Sequence, residues 1–298
     1  MRALVTGARG FVGPYLLDAL RQARAEAFEC DMAALPSALE SVKPTVIFHL
    51  AAQTFVPDAL RAPLETYETN TMGTAKLAEA VRASGLEPAP RILFTSSAEV
   101  YGARDLSEYP LRERLDLRPA NPYGASKAAA EAILLGEARS FGTDVVIARA
   151  FNHIGPGQKE HFVVASLAGQ LARIAAGAPP QLLVGNLESA RDFLDVRDVV
   201  AAYIALARHG ERSEIYNVCS GGAVTIGDVL GELIRIAGVA VEVREDPQRL
   251  RSAETRLSVG SSEKLRARTG WSPQIPLSRS LRDVYDAARD AATVSVKL

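Results

Sequence analysis

Short apolar runs alternate along this chain with longer segments whose apolar positions recur at helical spacing. Arg2-Ala-Leu-Val-Thr6, Thr45-Val-Ile-Phe-His-Leu50, Arg91-Ile-Leu-Phe-Thr-Ser96 and Asp144-Val-Val-Ile-Ala-Arg149 are almost continuously apolar. Strands buried on both faces read this way, because helices cover each side of a parallel sheet. The stretches 11–24, 72–85 and 124–140 between them predict helices. Repeated strand, helix, strand predicts an α/β fold with a doubly wound parallel sheet. Asn152-His-Ile-Gly-Pro-Gly157 breaks the alternation and predicts a crossover into a smaller C-terminal region. That region holds a predicted helix at 162–177, a loop through Pro179 and Pro180, the segment Gln181–Val184 and a terminal helix near 277–291. A helix at 195–208 is expected to return to the first region. The expected division is 1–151 plus about 192–212 for one domain, and about 152–191 with 213–298 for the other.

Composition narrows the function classes. At 298 residues the chain can bury a large core without covalent staples. Its net charge of −1 gives no field that would draw nucleic acid or a membrane surface. No apolar run is long enough to cross a bilayer. Met1–Thr6 leads straight into a glycine turn, so no leader peptide is expected and the cytoplasm is the expected location. Cys30 and Cys219 lie far apart among apolar or small residues, which fits unpaired thiols in a reducing compartment. The four histidines lack metal-ligand spacing, so no metal site is expected.

Three motifs carry chemistry. Gly7-Ala-Arg-Gly10-Phe-Val-Gly13 follows the first strand and opens the first helix. Its glycines permit a tight turn and close approach to a pyrophosphate, while the helix N-terminus supplies amide donors and partial positive charge. The spacing is Gly-x-x-Gly-x-x-Gly, not Gly-x-Gly-x-x-Gly. Asp31 is the next acidic landmark. Few residues separate it from the first helix, and the next helix is expected near Leu35, so one strand of the usual set is shortened or missing. If Asp31 ends the second strand, it accepts from a ribose 2′-hydroxyl and favours NAD(H). If it ends the third, it meets the adenine, and NAD(H) and NADP(H) are both open. The plainer alternative is a solvated carboxylate.

In the second motif, Thr95-Ser-Ser-Ala-Glu-Val-Tyr-Gly102 follows a strand whose carboxyl end faces the ligand crevice of such sheets. Ser97 is placed to donate to a substrate carbonyl. Glu99 is placed to abstract a proton or to accept from a sugar hydroxyl. The third motif, Asn121-Pro-Tyr-Gly-Ala-Ser-Lys127, starts a helix, since Pro122 disfavours helix at Asn121 and suits the first turn. Tyr123 and Lys127 stand four apart on one helical face. A nearby ammonium is expected to favour the phenolate and lower the tyrosine pKa, giving a proton donor or acceptor for a sugar or alcohol oxygen. Alanines at 125, 128, 129, 130 and 132 make a small-faced helix, suited to a helix-pair contact in a homodimer or to close core packing.

The glycine turn, Ser97, Tyr123 and Lys127 together resemble the extended short-chain dehydrogenase/reductase family over nearly the whole chain. The resemblance implies a Rossmann-type sheet with a smaller substrate domain and a Ser/Tyr/Lys site. It also implies a cofactor site at Gly7, Gly10, Phe11, Val12, Gly13 and Asp31. His49-Leu-Ala-Ala-Gln53 matches a family segment beside the nicotinamide ribose, which implicates Leu50, Ala51 and Ala52; Lys127 would also hold that ribose. Asn70-Thr-Met-Gly-Thr74 matches a family segment that supports the central strands. The segments Arg149–Gln158, Val184–Phe193 and Tyr216–Gly221 resemble the family's enzymes of GDP-mannose conversion, most of all the branch that reduces GDP-4-dehydro-6-deoxy-D-mannose to GDP-D-rhamnose. By that resemblance Asn152 and Arg191 contact the diphosphate of a GDP-sugar, and Arg251 and Glu254 clamp diphosphate and ribose. A GDP-mannose 4,6-dehydratase with Glu99 as base, a nucleotide-sugar 4-epimerase and a non-enzymatic nucleotide sensor are the alternatives. The dehydratases of this family carry Gln-Asp in the glycine turn and a basic second-strand end, and neither is present here.

Overall fold

The computed structural model describes residues 1–249 and 255–295. Strands β1 (Arg2–Thr6), β2 (Glu26–Cys30), β3 (Val46–His49), β4 (Arg91–Ser97) and β5 (Val145–Ala150) form a parallel sheet with Ile215–Val218. From one edge the order is β2, β1, β3, β4, β5 and Ile215–Val218. Side chains alternate across a strand, so each apolar run feeds two cores. Ala3 and Val5 face helices Val12–Gln22 and Val196–His209, packing with Leu16, Leu20, Val199 and Tyr203. Leu4, Ile47 and Ile92 face the opposite layer, where Leu77 and Val81 of helix Gly73–Ala83 meet Ala130 and Leu134 of helix Pro122–Phe141. The observed helices 12–22, 73–83, 122–141, 163–175 and 196–209 lie within a few residues of the expected ones.

Among the described residues only one strand stands outside β1, where a sheet of this kind usually has two. β2 pairs with β1 directly, Val5 opposite Glu29 and Thr6 opposite Cys30. Asp31 therefore follows the second strand, and the outer strand is the missing one. β2 is the sheet's edge, with Glu26, Phe28 and Glu29 exposed.

A second core lies beyond the crossover. Val164, Leu167 and Leu171 of helix Val163–Ala175 pack on Leu230 and Leu233 of helix Ile226–Ala237, and on Leu281 of helix Leu277–Ser295. Asn152–Ile154 pairs with Phe193–Asp195 where the two regions join. Helix Val196–His209 returns to the first core. Ile215–Val218 also lies in the first sheet, although it falls beyond the expected boundary at 212. Its last three residues are buried beside β5, and Leu265 and Trp271 fill the same core.

Candidate active site

The glycine turn fits a dinucleotide. Gly7 has φ +70°, and a Cβ there would stand 2.6 Å from Ala51 N. A Cβ on Gly13 would lie 1.9 Å from Ala8 O. Glycine is thus required where the turn meets the segment Leu50–Ala52 and where it enters the helix. No side chain caps the N-terminus of helix Val12–Gln22 at Phe11; Gly13 N is taken by Gly10 O at 3.3 Å and Pro14 has no N–H, so the Phe11 and Val12 amides are the ones an anion would meet. Phe11 stacks on His153 at 6.0 Å between ring centres, next to Asn152. At its other end the turn forms a recess with Glu29, Cys30 and Asp31.

β4 and helix Pro122–Phe141 place the catalytic candidates. The Asn121 side chain caps this helix, its Oδ1 accepting from Gly124 N at 2.8 Å. Its Nδ2 donates to Glu99 Oε2 at 2.8 Å, so the capping residue also fixes Glu99. The sequence marks Asn121 only as a helix boundary. The one local signal for its second role is an amide side chain at a cap, with a donor to spare. Ser97 closes β4 and is buried, as are Tyr123 and Lys127. Hydrogen bonding with Ser97 lowers the Tyr123 pKa, but burial dominates and Glu99 adds to it, so the phenol is pushed up to about 12. The expectation of a lowered tyrosine is corrected here. The shared helical face is present, but the Lys127 ammonium donates to Thr95 O at 2.7 Å and lies over the Phe94 ring. Burial lowers Lys127 to about 7, with Glu131 opposing.

A buried polar network underlies the site. Glu131, one turn beyond Lys127, accepts from Arg149 Nη2 at 2.7 Å and from Ser96 Oγ at 2.5 Å. Arg149 also donates to Tyr101 Oη, which donates to Asn217 Oδ1 at 2.7 Å. These residues come from β4, the loop after it, β5, helix Pro122–Phe141 and the strand Ile215–Val218, and local sequence does not announce the arrangement. His49 bridges Thr6 and Thr74 at 2.7 and 3.1 Å, and burial lowers it to about 3, so it is neutral. Asn70 ties Gln53 to Ser126 of the catalytic helix.

The substrate candidates are distributed differently. Asn152 is exposed on the strand that joins the two regions. Arg191 lies on the short strand Ala190–Arg191, which pairs with Val224–Thr225, and its Nη1 donates to Ala190 O at 3.0 Å. Arg251 and Glu254 lie outside the described residues. Among the described residues, no group of three His, Cys, Asp or Glu side chains is arranged to hold a metal ion.

A glycine turn feeding a doubly wound sheet, with Ser97, Tyr123 and Lys127 at its carboxyl edge, defines an NAD(P)-dependent enzyme of the extended short-chain dehydrogenase/reductase class. Within it, the chain belongs to the GDP-mannose 4,6-dehydratase family, whose model matches residues 26–284. It is 41% identical over 297 residues to the GDP-6-deoxy-D-mannose reductase of Pseudomonas aeruginosa, covering 95% of each protein. Among solved structures it resembles RMD from Pseudomonas aeruginosa complexed with NADPH, at TM-score 0.89 and 39% identity over 98% of this chain and all of that one. It also resembles the UDP-glucose 4-epimerase of Thermus thermophilus complexed with NAD, at TM-score 0.88 and 30% identity over 98% of this chain and all of that one.

Proposed function

We propose that this protein reduces the 4-keto group of GDP-4-dehydro-6-deoxy-D-mannose to give GDP-D-rhamnose. The observation that carries the reaction type is the buried pair of hydroxyls on Ser97 and Tyr123, with the phenol pKa pushed up to about 12. Burial keeps the phenol protonated at neutral pH, so it holds the proton that a ketone reduction consumes, and the transfer is driven by the far more basic alkoxide forming at C4. The substrate class rests on the likeness to the Pseudomonas aeruginosa reductase.

A reduced nicotinamide held by the glycine turn, Leu50–Ala52 and Lys127 would supply the hydride to C4. Tyr123 passes its proton to the developing C4 oxygen, and Ser97 donates a hydrogen bond to the same oxygen. Oriented donors at a developing oxyanion carry much of such catalysis. Lys127 has three N–H donors, of which the Thr95 carbonyl takes one. The remainder serve the nicotinamide ribose beside Leu50–Ala52 and stabilise the phenolate formed on proton transfer. Asn152 and Arg191, with Arg251 and Glu254, hold the sugar nucleotide's diphosphate and ribose. Glu99, held by Asn121, accepts from a sugar hydroxyl. The sheet region binds the cofactor and the smaller region the GDP-sugar.

The test has two arms. GDP-mannose alone should yield no 4-keto product, whereas the keto sugar with NADH or NADPH should give loss of nicotinamide absorbance and GDP-D-rhamnose. A keto product from GDP-mannose alone would establish the dehydratase instead. Reduction of UDP- or dTDP-keto sugars at equal kcat/KM would remove guanine from the reading.

The same reading includes a homodimer in the cytoplasm. Leu64 is 79% exposed and Leu60 59%, and Tyr67 and Met72 are also exposed, on a segment packed against the catalytic helix. A second copy covers these side chains. Light scattering should give twice the chain mass, and Leu64→Glu should shift it to one. Both cysteines are free and buried, as a reducing compartment allows, and no described helix is long and apolar enough to cross a membrane.

A further inference from the structure

Two serines end β4, and the mechanism uses only Ser97. Side chains alternate along a strand, so Ser96 points to the opposite face. It shares that face with Ile92 and Phe94, which pack with Ala130 and Leu134 of helix Pro122–Phe141. Ser96 is 4% exposed, and its hydroxyl donates to Glu131 Oε1 at 2.5 Å. We propose that Ser96 is a positioning residue for the proton transfer: through Glu131 it stops the helix from rocking against β4, and so holds Tyr123 opposite Ser97. The inference rests on Tyr123 being the group that handles the proton of the C4 oxygen.

The geometry carries this in three steps. Tyr123, Lys127 and Glu131 follow at four-residue spacing, so they lie along one helical face. The middle residue is tied to the strand, since Lys127 Nζ donates to Thr95 O at 2.7 Å. Relative to β4, a helix held at one point can rock about it. Tyr123 and Glu131 lie about 6 Å along the axis from Lys127 on opposite sides, so a movement of Glu131 away from the strand swings Tyr123 by a similar distance. The Ser96–Glu131 bond is the second point, made by the next residue of the same strand, and two points fix the tilt. Glu131 is itself anchored. Arg149 of β5 donates to its Oε1 at 3.0 Å and to its Oε2 at 2.7 Å, with the two side chains 3% and 2% exposed. Asn121 and Ser126 restrain the helix too, but through Glu99 on the turn after β4 and through Asn70 on a neighbouring helix. Ser96 acts from the strand that carries Ser97.

Ser96→Ala removes this tie and leaves Glu131 paired with Arg149 through both oxygens, so the fold should be kept. Reduction of the 4-keto GDP-sugar by NADPH is followed for the full chain and this variant, in ordinary and in heavy water, beside calorimetric titrations with NADPH. A displacement of about 0.5 Å at Tyr123 should lower kcat about ten-fold. KM for the keto sugar and Kd for NADPH should stay within about two-fold, the split expected when an interaction acts in the transition state alone. The solvent isotope effect on kcat should rise, because proton transfer becomes the slower step; a change confined to stability would leave it where it was. An unchanged kcat, a fall matched by weaker NADPH binding, or an unchanged isotope effect would overturn the proposal. If the wild-type chain instead converts GDP-mannose to a keto sugar, the reductase reading fails. The same comparison made in that reaction still decides this inference, because oxidation at C4 takes the proton back through Tyr123.

Discussion

Removing one oxygen atom tests the reaction assignment most directly. In Tyr123→Phe the ring keeps its packing, because the residue is only 9% exposed and the change deletes the hydroxyl alone. The stability cost is one hydrogen-bonding partner of Ser97, about 1 kcal/mol net. The catalytic cost is larger. General acid catalysis contributes about 10²- to 10⁴-fold, or about 3–5 kcal/mol of barrier. The upper end is expected here, since Ser97 is left as the oriented hydroxyl and an aliphatic alcohol is a far weaker acid than a phenol. The assay is the fall in nicotinamide absorbance with the 4-keto GDP-sugar, run beside a urea titration and a calorimetric Kd for NADPH. Turnover should fall about 10³- to 10⁴-fold, with Kd and m-value nearly unchanged. A variant that keeps a tenth of the wild-type kcat would falsify Tyr123 as the proton donor.

Three further outcomes are expected. Lys127 titrates near 7 in the folded chain instead of its ordinary 10.5. Its ammonium is therefore lost as pH rises through about 7, and kcat/KM under limiting cofactor should fall above that point; Lys127→Met should lack this limb, and a flat wild-type profile to pH 9 would refute the role. Glu131→Gln leaves the buried Arg149, 3% exposed, without its carboxylate, at a cost of about 3–5 kcal/mol in urea unfolding. A change below about 1 kcal/mol would show that the network reorganises freely. Gly13→Ala forces a Cβ against Ala8 O, so the turn must shift. Melting with saturating NADPH should show little of the rise seen for the wild-type chain.

The strands and helices were legible because both faces of the sheet are covered, which leaves apolar runs and helical periodicities in the sequence. Arg2–Thr6 matches to the residue. Ile215–Val218 was assigned to the wrong side of the expected boundary, since a run of four carries no mark of the sheet it joins. The Tyr123–Lys127 spacing identified a shared face but not its depth. Depth decides the direction of the tyrosine shift, because desolvation outweighs the other influences. The carboxylate–arginine pair beneath Lys127 was not legible, because Glu131 and Arg149 sit 18 residues apart and meet only through tertiary packing. The place of Asp31 needed the register of β2 against β1, which the chain's brevity at that point left open.

The absent outer strand has a consequence for colloidal behaviour. β2 presents an unpaired row of backbone donors and acceptors, the usual template for strand-to-strand aggregation. Glu26 and Glu29 are exposed along it and repel a like edge. Glu29 also lines the recess beside the glycine turn, where its charge would repel an anionic group. Protection of the edge and the charge of that recess thus draw on the same side chain. Engineering that neutralises Glu29 to admit an anion there also strips the sheet's rim of part of its protection, so the two properties must be tuned together.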